Sequence, residues 1–243
     1  MSDSPAAFIE MLARVVPDFE TQARGARAAE IEALEGFCEG GLPSFYAWYL
    51  SVFGAHGGPF ETRRFDFSIA AVLAHHRDAA DDEDRDPEAP FVIAVGRDSV
   101  LPQDVAFDLG RRTPTDAFVV LAGAPIFDSL AAMLAWRLYE RHRLPRFARR
   151  CSGVIRHRQV EFADELAVAL EELGLVSTLD TGDHVKVLEG RDCAMTLLGN
   201  YFSMPTVAFE LATPSSRHAR ALLGQLAVEH GFEIEALEWY GDH

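Results

Sequence analysis

Three groupings in the sequence bring together residue types that do chemistry. Cys151 stands between Arg149-Arg150 and Arg156, and cations close to a thiol lower its pKa and make it a nucleophile. A Cys-x5-Arg phosphate cradle does not fit, because Cys151 to Arg156 leaves four intervening residues and Cys151 to Arg158 leaves six. The expectation is a boundary cysteine flanked by solvated arginines, with no nucleophilic role. His75-His76, followed by Asp78 and the run DDEDRDPE at 81–88, offers ligands for a hard or borderline cation. Adjacent histidines point to different sides of a helix, and neither an EF-hand spacing nor His-x-x-Glu-His is present. A solvated loop is the expectation, and its acids Asp81, Asp82, Glu83, Asp84, Asp86 and Glu88 are candidates for a partner-facing surface. The third grouping is basic: eight of the 21 arginines lie between Arg137 and Arg158. Without interleaved aromatics for base stacking, these arginines read as favouring a helix C-terminus through its macrodipole and docking on acidic surface.

No Gly-x-Ser-x-Gly, Gly-x4-Gly-Lys-Ser/Thr or Gly-x-Gly-x-x-Gly occurs, so the hydrolase elbow, the P-loop and the dinucleotide fingerprint have no footing. No catalytic residue, metal site or cofactor is expected. The balance of 38 Asp+Glu against 22 Lys+Arg gives a net charge of −16. That argues against coating nucleic acid or an anionic membrane and favours a basic partner. Cys38, Cys151 and Cys193 show no CxxC spacing and read as reduced core thiols. The opening MSDSPAAFIEMLARVV lacks a basic n-region and an unbroken apolar core, and no stretch approaches the roughly 18 apolar residues of a span. The expected location is the cytoplasm.

The elements that must position these groups come from a globular composition, 49% hydrophobic and 25% charged over 243 residues. Ser4-Pro5 opens a helix whose Phe8, Met11, Leu12, Val15 and Val16 share one face, and Pro17 stops it. A helical run over 18–39, breakable at Gly25, turns Ile31, Leu34, Phe37 and Cys38 inward and ends at Gly40-Gly41. Pro43 opens a third helix with a stripe of Phe45, Trp48, Tyr49, Val52 and Phe53, closed by Gly54, Gly57 and Gly58. Strands follow over 64–69, 91–95, 105–109 and 118–122, with a short helical or loop insert between the first two. A helix at 127–141 is capped by Asp128-Ser129 and stapled by Phe127. Strands linked by short turns pair antiparallel, so residues 1–141 read as one α+β domain.

Residues 142–152 read as an arginine-rich linker interrupted at Leu144-Pro145. A second unit spans 153–243, with strands near 153–157, 175–180, 184–189, 193–198, 205–211 and 232–237 and helices at 161–173 and 215–230. Its order is that of a split βαβ, ferredoxin-like sandwich with an extra strand. Trp239 and Tyr240 are candidates for exposed contact residues.

The first domain carries a family signature. The segment IEALEGFCEGGLPSFYAWYLSVFGAHGG, 31–58, resembles the opening of the SUKH superfamily, which includes yeast cell-wall assembly regulators and many bacterial toxin-immunity proteins. The matching positions are Ile31, Leu34, Glu35, Leu42, Pro43, Phe45, Tyr46, Leu50, Gly57 and Gly58, with His56 where the family usually has Asn. FVIAVGRDSVLPQDVAFDL at 91–109, with Asp108 in its x-x-x-Asp-Leu strand, FVVLAG at 118–123 and IFDSLAAML at 126–134, containing Phe127, follow in the family's order. The likeness covers about 30–141; residues 1–29 and 151–243 lie outside it. It implies a SUKH-like antiparallel sheet with helices and a non-catalytic protein-binding module. In bacteria such domains typically bind and block a toxin, often a nuclease. A regulatory or scaffold role through the C-terminal unit, or an enzyme with an unrecognised site, stays open at this point.

Overall fold

The computed structural model describes residues 5–82, 89–97, 103–113, 115–121, 124–156, 163–179, 181, 185–199 and 206–240. Seven α-helices and two antiparallel sheets are found among them, a mixed α+β architecture. The chain divides into two compact units, Met1–Ala131 and Ala132–His243.

The first unit begins with helix α1 (Pro5–Val15), which buries Phe8, Met11, Leu12 and Val15 as their spacing requires. The run expected as helix over 18–39 is broken. A 3-10 turn at Phe19–Gln22 precedes an extended stretch, and helix α2 (Ala28–Glu35) follows. Gly25 explains the break, since a Cβ there would lie 1.9 Å from the Ser51 carbonyl oxygen. The stretch is held across the end of the next helix by Ala26 N–H donating to Leu50 O (2.9 Å) and Ala55 N–H donating to Arg24 O (2.9 Å). Helix α3 (Ser44–Phe53) buries Phe45, Tyr46, Tyr49, Leu50 and Phe53, a broader face than the expected stripe, while Trp48 and Val52 are only half-buried. At its end Gly57 and Gly58 take left-handed φ values of 79° and 55°, and His56 Nδ1 accepts the Gly58 N–H (3.1 Å).

Strand β1 (Phe65–Asp66) is shorter than expected because Ser68 caps helix α4 (Ile69–Ala80), its Oγ accepting the Ala71 N–H at 3.3 Å. Strands β2 (Phe91–Gly96), β3 (Val105–Arg112), β4 (Ala117–Leu121) and β5 (Ala124–Phe127) complete a meander in the order β1-β2-β3-β4-β5. Strand β5 has no counterpart among the strands expected from the sequence. Phe127, expected as a helix staple, ends a cross-strand row of pairs, Phe91↔Phe107↔Val119↔Phe127. Tyr46 meets Phe107 edge-on at 5.3 Å and ties α3 to that row. Val92, Ala106 and Val120 form a small apolar cluster on the sheet's other face. Helix α5 (Leu130–Leu138) receives a cap that local sequence does not reveal. The buried Asp116 carboxylate accepts N–H groups from Leu130 (3.0 Å), Ala131 (3.1 Å) and its neighbour Ala117 (2.8 Å).

Residues 142–152, expected as a linker, are folded. A π-helical turn (Tyr139–Arg143) and a 3-10 turn (Leu144–Arg146) lead into strand β6 (Arg149–Arg156). Arginine-rich composition hides an apolar anchor: Leu144 is fully buried, as is Cys151, expected in the core, and arginine heads stay at the surface while their stems pack. Helix α6 (Ala163–Glu172), strands β7 (Val176–Leu179), β8 (Val185–Glu189), β9 (Ala194–Gly199) and β10 (Thr206–Thr213), helix α7 (Ser216–Glu229) and strand β11 (Glu233–Tyr240) follow. The sheet order is β11-β6-β10-β9-β8-β7, each neighbour antiparallel. Hence β6 and β7 run the same way with three strands between them, and β10 and β11 do so with β6 between them. One sheet face buries Cys151, Ile155, Met195, Leu197, Phe209 and Leu211 together with Leu166, Leu170, Leu222 and Leu226 of the two helices. Ala194 and Ala212 on the other face pack with Leu144 and Phe147.

Candidate partner-binding groove

The first unit carries an open groove of about 800 Å³ lined by Phe37, Glu39, Gly40, Ala89, Pro90, Phe91, Asp108, Leu109, Gly110 and Arg112. Three separate stretches of chain build it: the turn after α2, the entry to β2 and the end of β3. The β3–β4 register jumps between Asp108↔Phe118 and Arg112↔Ala117. This irregularity lifts residues 109–111 out of the ladder, and Asp108 Oδ1 accepts the Gly110 N–H at 3.1 Å.

Arg112 fastens the turn to the strand. Its Nη1 donates to Glu39 O at 2.8 Å and Gly41 O at 3.4 Å. Gly40, at φ 76°, is in the left-handed region that favours glycine, and a Cβ there would also lie 2.1 Å from Arg112 Nη2 and push that side chain aside. Beside it a hollow of about 320 Å³ is lined by Gly40, Gly41, Leu42, Pro43, Arg112 and Thr113. Below the turn Cys38 Sγ donates to Gly41 O at 3.1 Å. Burial raises that thiol's pKa against the opposing pull of Arg112, so it stays protonated. The groove's aromatic rings rest on His76, which is stacked against Phe91 at 4.3 Å and Phe37 at 5.7 Å, with Nε2 2.9 Å from Val92 O.

The residues expected to act sort as follows. Asp81 and Asp82 are exposed at the end of α4; Glu83, Asp84, Asp86 and Glu88 lie outside the described residues. Ala89 and Pro90, which follow that acidic run directly, line the groove. Of the family-motif residues, Leu34, Pro43 and Phe45 are buried, Ile31 and Leu42 are half-buried, and Glu35 is exposed. Asp108 lines the groove, and Leu42 and Pro43 line the smaller hollow. Sequence reasoning does not single out Glu39, Phe37, Phe91 or Arg112 as site residues; Arg112 and Gly40-Gly41 are visible in it, but their meeting is a long-range event.

The other chemical groupings take structural roles. His75-His76 belongs to three turns of helix, not to a solvated loop: Ile69, Val72, Leu73 and His76 form its buried stripe, and His75 Nδ1 lies 3.9 Å from Asp104. Cys151 sits buried inside β6, as expected of a core thiol though within a strand and not at a domain boundary, and burial, reinforced by Glu210, pushes its thiol up to about 11. The nearby arginines do not activate it. Arg150 pairs with Glu210 (3.2 Å), Arg143 with Glu189 (2.9 Å) and Arg156 with Glu235 (3.1 Å). Burial raises the Glu210 carboxyl's pKa against the pull of Arg150. Trp239 and Tyr240 are both exposed, at 37% and 43%. Trp239 nevertheless lies under Arg220 (5.4 Å to the ring centroid), and Tyr240 donates to Glu238 Oε2 (2.5 Å). Among the described residues no group of three or more His, Cys, Asp or Glu is placed to hold a metal ion, and no helix is long and apolar enough to cross a membrane.

The groove therefore presents two carboxylates, one guanidinium already engaged with backbone carbonyls, and the half-buried ring of Phe37 beside the buried Phe91, a set of groups suited to recognition. Comparison of the chain with protein-family models, with curated proteins and with solved structures finds no match in any of the three.

Proposed function

We propose that this chain is a non-catalytic protein-binding module, an immunity protein of the SUKH type that binds and neutralises a bacterial toxin with a basic, nuclease-like surface. The finer fold assignments, SUKH-like for the first unit and ferredoxin-like for the second, belong to the same reading. The observation that carries it is electrostatic. A chain of net charge −16 has an acidic run directly before the groove-lining Ala89 and Pro90. Such a surface attracts a polycationic protein from a distance and competes for the groove that would hold its nucleic acid. The cytoplasm is where such a toxin would have to be met.

The test is reconstitution with the product of the neighbouring gene. The expected result is a stoichiometric complex that weakens about tenfold or more between low and physiological salt, as screened acidic contacts must, and loss of the partner's toxicity on co-expression. A complex indifferent to salt, or none at all, would sink the proposal.

A further inference from the structure

We infer that the groove of the first unit is an arginine-recognition site, taking a guanidinium-bearing segment of a basic protein partner. This rests on the protein-binding reading above and names the surface and the partner's chemistry. The groove's charge selects a cation. Glu39 and Asp108 line it, and its own cation, Arg112, has Nη1 held by the Glu39 and Gly41 carbonyls. The rings refine the choice. Phe37, half-buried, lines the groove with Phe91, which is 4% exposed, and His76 stacks between the two rings, so the Phe37 ring is set in place before a ligand arrives. A planar guanidinium stacks on a phenyl face while its N–H groups reach carboxylates at the side; an ammonium, more strongly hydrated and without a plane, gains less. The volume of about 800 Å³ admits an extended segment with one or two such side chains.

The test uses the full chain with two fluorescein-labelled peptides, Gly-Arg-Gly-Arg-Gly and Gly-Lys-Gly-Lys-Gly, read by fluorescence anisotropy. The arginine peptide is expected to bind about fivefold more tightly than the lysine peptide, the share of stacking. The double variant Glu39→Gln with Asp108→Asn is expected to weaken arginine-peptide binding about tenfold or more. The amide introduced by Asp108→Asn keeps an acceptor for the Gly110 N–H, and Glu39 is exposed, so the fold is retained. The control Glu171→Gln with Glu229→Gln removes the same charge from exposed helix positions of the second unit and should change binding less than about twofold. Equal weakening by both pairs, or equal binding of the two peptides, overturns the assignment. A groove variant that still forms the salt-sensitive complex leaves the protein-binding reading intact and removes the groove from it. An intact chain that binds the arginine peptide through the groove but forms no complex keeps the site and defeats the immunity role.

Discussion

The two units solve the same burial problem with different side chains. In the first, rings from α1, α3 and the turns around them interlock: Phe8 with Phe45 at 5.3 Å, Phe53 with Phe60 at 5.4 Å, Phe53 with Tyr49 at 5.9 Å. In the second, the core between sheet and helices is leucine, valine, alanine, isoleucine, methionine and cysteine, with Phe209 and Phe232 as its aromatics among the described residues. Aromatic packing is directional, each favourable pair adding about 0.5–1.5 kcal/mol beyond area burial. Aliphatic packing depends mainly on volume. The first unit can thus hold a turn such as 37–43 in one shape beneath an open groove, because the helices on either side of it are fixed in angle as well as in distance. The second unit is a plainer platform whose charged groups pair with one another.

The largest expected effect separates those two kinds of core. Phe53 is fully buried and meets Phe19, Trp48, Tyr49 and Phe60. Phe53→Ala should cost about 3–5 kcal/mol, and Leu170→Ala in the second unit about 2–5 kcal/mol. The conservative replacements sharpen the contrast. Phe53→Leu forfeits ring pairs and should still cost about 2–3 kcal/mol, whereas Leu170→Met should cost under about 1.5 kcal/mol. Urea unfolding followed by hydrogen exchange on peptides of each unit reads all four. Should Phe53→Leu cost no more than Leu170→Met, directionality is not what distinguishes the units.

A smaller loss is expected at Asp116, where the first unit uses a buried carboxylate as a structural joint. Asp116→Ala strips acceptors from the N–H groups of Ala117, Leu130 and Ala131 and should cost about 3 kcal/mol, from unsatisfied buried donors and the lost cap. Asp116→Asn retains an acceptor and should recover about half. In the second unit the matching test is Glu189→Gln, which breaks a partly exposed pair with Arg143 and should cost under about 1 kcal/mol. Thermal melts of the three variants settle the order.

The legibility of the sequence follows the same division. Apolar periodicity locates α1, α6 and α7, and alternation locates most strands of the second sheet, because there one residue type per face is the whole signal. It fails where a polar residue is buried or a short element is held by distant partners. A polar His76 leaves α4 open between helix and loop, although its stacking on Phe37 and Phe91 makes it core. Asp116 reads as a turn residue, since nothing local reveals that it caps a helix fourteen residues on. The Ala-Pro-Ile-Phe of β5 is too short to register, and arginines hide the burial of Leu144. Within the groove only Asp108 is singled out from sequence, and that through family likeness. The site joins residues 37–40, 89–91 and 108–112, a proximity set by the Phe91↔Phe107 register and the Arg112 hydrogen bonds, not by any local pattern.

The finest test of the comparison is alkaline pH. The Tyr46 and Tyr49 hydroxyls are buried with no hydrogen-bonding partner among the described residues, and burial raises both phenols above their ordinary range, Tyr49 adding to the shift at Tyr46. The folded chain binds protons that the unfolded chain releases. The stability these groups carry is therefore whole below about pH 10 and falls as pH rises further, by about 1.4 kcal/mol per pH unit for each phenol. In the second unit the Cys151 thiol, at about 11 when folded, begins its loss near the ordinary thiol value of about 8.5 and ends it near 11. Above about pH 10 the first unit should thus weaken the more steeply. Tyr49→Phe removes one of its two phenol contributions, halving that slope, and at neutral pH it should be neutral or stabilising by up to about 1 kcal/mol, because an unpaired buried hydroxyl is exchanged for none. Tyrosinate absorbance gives the decisive reading. If all five tyrosines ionise together near pH 10 in the folded chain, the aromatic core is not closed to water and the contrast between the units disappears.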